Sequence, residues 1–438
     1  MAQQVSRLTW IESLSTLVQA GGPLFAKGII LRRPMIVRWL QATGLERRGI
    51  AAIQRLRGRH GEGPAVLKLG VRKEMLLLAP TDVQRLLDDT PIPFSPDSRE
   101  KHATLAHFEP AGSLISRGPA REVRRSLNDH ALESGCPRHS LASRFESIVA
   151  DEMTPLVGQA TLSFETFRAA WFRMARRCLF GDDARDDVAL TRMLFRLRGD
   201  ANWAFLKPKR KHLRARFLSH VARYLHRPAP NSLAERLASA ASPGSRPEDQ
   251  VGQWLFAFDA ASIATFRTLM VLAADPAALG RSREDRDSAR PFLRACVLEA
   301  VRLWPTTPLV LRQSDRPTLW HGQTIPAATG FAVHLPFLHR DTERLPHADR
   351  FSPAIWLDGT AERDGFVPFS AGPAECPAKN LVLMLASATL RTLIRLHQPV
   401  LPEESALDPH HLPATLDPFT WVLRLQPHPR DSPCAAPT

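Results

Sequence analysis

Residues 250–275 read QVGQWLFAFDAASIATFRTLMVLAAD, a stretch that is apolar nearly all round. A helix of that composition has no polar face to offer water, so it must run through the interior with other elements packed about it. Asp259 stands out there, because a carboxylate is costly to bury alone; it finds a hydrogen-bond partner or borders a wet cavity. The neighbouring text supplies the packing. From about 140 to 275 the pattern is helical almost without break, interrupted at 181–183, 200–209, 226–231 and 242–247. Strand signals are few: AVLKLG and MLLLAP as a hairpin, short pieces at 310–312, 319–320, 323–325 and 330–333, and a late TWVLRL. The expected class is mainly α with a small β part. Thr81 is expected to cap a helix after the hairpin, and Pro119 to open another.

Neither a Gly/Ser linker nor an abrupt change of composition divides the 438 residues, and 44% of them are hydrophobic. One large domain over 46–425 is therefore expected, preceded by an amphipathic segment (1–45) and followed by a disordered Pro-rich tail (426–438). The five cysteines, Cys136, Cys178, Cys296, Cys376 and Cys434, are odd in number, scattered and free of any C-x-x-C pair. That excludes a disulfide framework or a zinc ribbon and fits a cytoplasmic setting. The start lacks the charged and apolar regions of a signal peptide, and no run of about 18 apolar residues suggests a membrane span. A formal charge of +14 admits nucleic acid, an anionic surface or an acidic protein as partner. The most basic run, KPKRKHLRAR at 207–216, lacks the interleaved aromatics that stack on bases, so it reads as a solvated helix face and not as a nucleic-acid site.

One cysteine is set apart by its surroundings. In GFVPFSAGPAECPAKNL (365–381) a turn rich in Gly and Pro delivers Cys376 directly to the start of an apolar helical pattern. First-turn N–H groups and the positive end of a helix dipole favour a thiolate and lower its pKa, which suits a metal ligand. Upstream, Glu299 and Arg302 lie three apart on one face of a helix.

The order helix pair, irregular meander, cysteine turn resembles the cytochrome P-450 family of haem-thiolate monooxygenases, in its soluble bacterial form, over roughly residues 60 to 425. Phe369, Gly372 and Cys376 stand at the matching places of the family's F-x-x-G-x-R-x-C-x-G, while Ala374 and Ala378 replace its arginine and final glycine. Glu299 and Arg302 match the family's E-x-x-R, with Arg350 of ADRFSPAIW the expected third member. The resemblance implies a haem b whose iron is held by Cys376, lying between a long interior helix and the cysteine loop. Arg125 and Arg312 match positions that bind haem propionates; Arg121 is either a replacement for the lost loop arginine or surface charge.

In such proteins the interior helix carries an acid–alcohol pair that feeds protons to dioxygen. The preferred register puts Asp259 on the acid and Ala260 on the alcohol, leaving Ser262 as the nearby hydroxyl; a register shifted by two would put Ala260 on the acid. Asp259 is then a proton relay or a structural carboxylate. Phe258 and residues 90–116 and 195–210 are expected to shape the pocket. The implied function is insertion of one oxygen atom from dioxygen into a small apolar organic substrate. Electrons would come from a separate acidic ferredoxin or flavodoxin, since the chain has no reductase motif. The other readings are a peroxide-driven peroxygenase and a non-catalytic haem-binding sensor, both prompted by the missing hydroxyl and arginine.

Overall fold

The computed structural model describes residues 4–70, 72–402 and 407–427. Its axis is the helix Pro247–Ala274. Pro247 in the first turn fits a position whose N–H has no helical partner, and Glu248 and Asp249 complement the positive end of the dipole. This helix is long and apolar enough to cross a membrane, yet 83% of its most apolar window is buried inside the fold. The expectation that no such run exists is corrected, and the reading of an interior helix holds.

Around it we number the elements used below: α1 (Gly118–Leu132), α2 (Phe164–Phe180), α3 (Val188–Ala201), α4 (the axial helix), α5 (Pro291–Leu303) and α6 (Lys379–Ile394). α4 packs on α2, α5 and α6, and α6 packs in turn on the helix Ala142–Val157. The aromatic rings of Phe164 and Phe167 meet Phe266 of α4 with centroids 5.4 Å apart in both cases, so α2 and α4 share one core.

Six strands form the main sheet: β1 (Ser6–Arg7), β2 (Ala65–Leu69), β3 (Arg72–Leu76), β4 (Phe94–Ser95), β5 (Leu309–Ser314) and β6 (Gly330–His334). Their spatial order is β1-β2-β3-β6-β5-β4. The hairpin β2–β3 pairs Ala65 with Leu76, and β5 lies antiparallel to β6 with Arg312 opposite Phe331. The basic run leads into the helix Lys211–His226, which buries little beyond Phe217 and Val221.

Several local expectations are corrected. Thr81 lies inside the first turn of Pro80–Asp88 and Ala79 holds the capping position, because Pro80 starts the helix. The connection 90–116 is partly regular: Ser98 caps a helix Arg99–Leu105 by accepting from the Lys101 N–H. The helical text is also broken at 158–161, followed by the short strand Leu162–Ser163. The N-terminal segment folds as short helices with Leu24, Val37 and Leu40 inward and Trp10, Ile11, Val18, Met35 and Trp39 exposed. Of the expected tail, Gln426 and Pro427 complete the strand Val422–Pro427; residues 428–438 lie outside the described residues.

Candidate functional site

The cysteine turn is held by backbone geometry. Cys376 donates its N–H to the Phe369 carbonyl at 2.9 Å and accepts from the Lys379 N–H at 3.2 Å, which ties the loop to the first turn of α6. Gly372 has φ +65°, and a Cβ there would stand 2.4 Å from the Leu87 carbonyl oxygen, so no larger residue fits without moving backbone. Ala378, where the family pattern has glycine, has φ −89° and needs no left-handed conformation. Two side chains brace the loop from outside: Arg125 donates to the Glu375 carbonyl at 2.7 Å, and Ser134 to that of Pro377 at 2.9 Å. Burial raises the Cys376 thiol pKa above its ordinary value, with the Ala378 N–H and Arg125 opposing. The expected lowering is thus reversed for a free thiol. Desolvation outweighs the helix terminus, and a bound cation would be needed to hold the thiolate.

Three cations converge beside this loop. Arg312 on β5 is buried and donates to Thr90 and Ser370 hydroxyls at 3.0 and 3.2 Å. Burial pushes it down to about 10, with Arg121 adding to the effect. Arg121 on α1 is buried too, and its Nε has no hydrogen-bond partner. Lys101, which sequence reasoning missed, reaches the Leu311 carbonyl at 3.2 Å. Its pKa is lowered well below normal, first by burial, then by Arg312, against the pull of Asp97. A buried cation cluster with an orphaned donor is a site for an anion; a dicarboxylate such as the edge of a haem fits it. Arg125 is committed elsewhere, to Asp129 at 2.8 Å and to the loop. Only the capping Ser98 before Arg99–Leu105 could have pointed to Lys101.

The expected triad differs from its prediction. Arg302 donates through Nε and Nη2 to the two oxygens of Glu299 at 2.8 and 2.7 Å, both residues being fully buried. Arg350 is exposed and contributes only its carbonyl, which accepts from Arg302 at 2.9 Å. Glu299 instead accepts from the Ser352 N–H and the Trp356 indole at 2.8 and 2.9 Å. Four donors fill its lone pairs, and Arg302 spends its remaining N–H groups on the His339, Ala348 and His347 carbonyls. The pair therefore stitches α5 to the meander that leads into the cysteine turn.

On α4, Gln253, Phe256, Ala257 and Ala260 keep accessible surface while the residues between them are buried. Their i, i+3, i+4, i+7 spacing makes one face. Cys376 and Phe369 likewise keep partial exposure against the same core. Asp259 lies off this face. It accepts from Arg168 at 2.8 Å and from Arg198 at 2.9 Å. Burial opposes its ionisation, but the two guanidinium groups hold its pKa below the usual value. Ser262 is wholly buried and donates to the Asp259 carbonyl at 2.7 Å, so its hydroxyl is occupied by its own helix. Phe258 is corrected as a pocket residue: it is 3% exposed in the core, and its carbonyl accepts from Trp171 at 2.8 Å. Parts of the two expected walls, Asp97 and His102 from one and Phe205 and Lys207 from the other, line an open cleft, which includes neither Cys376 nor the accessible residues of α4.

Comparison with known proteins agrees with this arrangement. A family model described as "Cytochrome P450" matches residues 277–418. The mitochondrial 1,25-dihydroxyvitamin D(3) 24-hydroxylase of Mus musculus is 27% identical over 124 residues, 28% of this chain and 24% of that protein. The 3,9-dihydroxypterocarpan 6A-monooxygenase of Glycine max is 33% identical over 132 residues, 28% of this chain and 26% of that protein. The matched stretch thus spans about a quarter of these relatives' length. The solved structure of retinoic acid bound cyanobacterial CYP120A1 is similar at a TM-score of 0.70 and 16% identity, covering 86% of this chain and 94% of that one, so the likeness in fold extends well beyond the matched sequence.

Proposed function

We propose that the chain is a member of the cytochrome P450 superfamily, a haem-thiolate monooxygenase that inserts one oxygen atom from dioxygen into an apolar organic substrate; the family-model match over residues 277–418 and the likeness in fold support this reading. The observation that carries this reading is the braced presentation of Cys376 beside a buried cation cluster with an unpartnered donor. Cys376 would ligate the iron of a haem b, and Arg312, Arg121 and Lys101 would neutralise its propionates with charge-assisted hydrogen bonds. Bound there, the haem supplies thiolate-assisted activation of dioxygen. The chain's own residues do the rest. Phe256, Ala257 and Ala260 present an apolar wall that excludes water from the substrate side. Glu299 and Arg302 hold the meander so that the cysteine turn keeps its position. A formal charge of +14 supports an acidic electron-transfer partner of the ferredoxin or flavodoxin type, through steering on encounter.

One observation favours a second reading. Ala260 offers no hydroxyl on the accessible face of α4, and Asp259 and Ser262 are occupied elsewhere. A peroxide-driven reaction, which brings its oxygen already reduced, avoids the need for that proton supply. The test is the absorption spectrum of the reduced, CO-treated protein, followed by turnover with a surrogate reductase and dioxygen against peroxide alone. A thiolate-type spectrum with product only from peroxide selects the second reading; absence of the thiolate spectrum sinks both.

A further inference from the structure

The helical run from Trp10 to Ala26 packs on the fold the wrong way round for water. It continues without a break through Trp10–Thr16, the wider turns Leu17–Gly21 and Gly22–Ala26. From Trp10 to Gly21 the side chains buried against the fold are Ser13, Thr16 and Ala20. Trp10, Ile11, Leu14, Leu17, Val18 and Phe25 stand outside, with exposures from 40% to 61%. Leu17 and Phe25 approach the Cβ position of Gly21 to 3.2 and 3.8 Å, so the outer stripe carries on across the wider turns. A helix lying on a protein in water turns its apolar side chains inward and its polar ones outward. Here the small and polar residues are inside and the bulky apolar ones outside. Single exposed apolar residues are ordinary, but a contiguous patch marks a surface that is covered by something else.

The patch extends beyond this run. The Arg33 guanidinium donates to the Ala26 carbonyl at 3.1 Å and lies over the Trp203 ring at 5.1 Å. Asn202 accepts from the Ile30 and Leu31 N–H groups at 2.9 and 3.1 Å. The end of the run is thereby fixed beside segment 203–206, where Trp203, Phe205 and Leu206 are exposed, Leu206 to 83%. Met35 and Trp39, one turn apart on the helix Pro34–Thr43, are exposed as well. These segments hold most of the exposed large apolar side chains among the described residues.

Their charge is one-sided. No acidic residue occurs between Glu12 and Glu46 or between Asp200 and Glu235. Arg38 is exposed beside Trp39, and the basic run 207–216 starts directly after Leu206. Lys207 and Arg210 share Asp200, whereas Lys209 and Lys211 are exposed and make no ion pair among the described residues. We propose that this face seats on the surface of an anionic lipid bilayer, with the outer stripe, Met35 and Leu206 in the acyl-chain boundary and Arg38, Lys209 and Lys211 at the headgroups. Apolar bulk rimmed by cations is the composition of an interfacial helix, tryptophan favours headgroup depth, and each cation near an anionic leaflet strengthens the attraction. The face offers no acid to fix the register of a folded partner, and a fluid lipid surface requires none. The inference does not depend on the haem-thiolate reading.

The test is flotation of the full chain with vesicles of phosphatidylcholine, with and without phosphatidylglycerol. The wild type should float with the anionic vesicles and bind less tightly in high salt. Lys209→Gln with Lys211→Gln should weaken binding roughly tenfold. Ile11→Gln, Val18→Gln and Phe25→Gln together should weaken it by about tenfold or more, with an unchanged circular dichroism spectrum because these positions are exposed. Lipids brominated on the acyl chains should quench tryptophan fluorescence on binding, and less so in Trp10→Gln with Trp39→Gln. A wild type that floats with neither vesicle, floats equally with both, or binds without such quenching overturns the proposal. A wild type that instead forms a dimer broken by the apolar substitutions assigns the face to a second copy and overturns it too.

Discussion

Replacing Glu299 by alanine removes the acceptor of four hydrogen bonds, at 2.7 to 2.9 Å, from Arg302, Ser352 and Trp356. Arg302 is 0% exposed and cannot turn to water. Stranding a buried charge in this way costs roughly 3–5 kcal/mol, and each neutral donor left unpaired adds about 1 kcal/mol or more. The sum, about 5–7 kcal/mol, is comparable to the whole stability of many domains, which is about 5–15 kcal/mol. Glu299→Ala should therefore yield little soluble protein and no haem retention. Glu299→Gln keeps the shape and one acceptor oxygen, so it should be milder. Urea unfolding followed by circular dichroism measures both. An alanine variant that folds, loads haem and loses under about 1 kcal/mol would refute the claim that this pair locks the meander.

Four shorter tests accompany it. Cys376→Ser should fold but lose the thiolate signature of the reduced CO complex; a surviving signature would mean that another residue ligates the iron. Gly372→Ala should reduce haem retention, since its Cβ would meet the Leu87 carbonyl at 2.4 Å in a left-handed conformation; unchanged haem dissociation would contradict that fit. Asp259, whose carboxyl is held below its ordinary value by Arg198 and Arg168, contributes stability that is present above the unfolded carboxylate range and lost as pH falls through its folded value. Asp259→Asn should then lower the melting temperature at pH 7 and flatten the acid limb of stability below about pH 4; an unshifted acid limb would show that the arginine clamp is not formed. Ala260→Thr places a hydroxyl on the accessible face and should raise the share of electrons that reach product instead of peroxide, measured with a surrogate reductase.

What the amino-acid text could carry was whatever depends on short spacing. The apolar run of 250–275 demanded an interior helix, and α4 is one. The Gly–Pro punctuation before Cys376 demanded a turn into a helix, and α6 begins at Lys379. The separation of Glu299 from Arg302 put both on one face, and they pair. These are consequences of helical period and backbone sterics, which act over a few residues.

Side-chain destinations were decided by the packed fold. Arg350 was the expected partner of Glu299 by sequence order, yet Ser352 and Trp356 reach the carboxylate first and leave Arg350 at the surface. Asp259 gave no sign of its two arginines, because Arg168 and Arg198 lie 91 and 61 residues away and meet it only when α2 and α3 pack on α4. Lys101 reaches the carbonyl of Leu311, next to Arg312, across 210 residues, and Glu109 meets Gln253 only because its turn lies against the start of α4. Local pattern fixes which face of a helix a residue occupies. Which charge waits opposite that face is settled by chain closure and burial, where an unpaired ion costs several kcal/mol and partners are taken from whatever element the fold brings near.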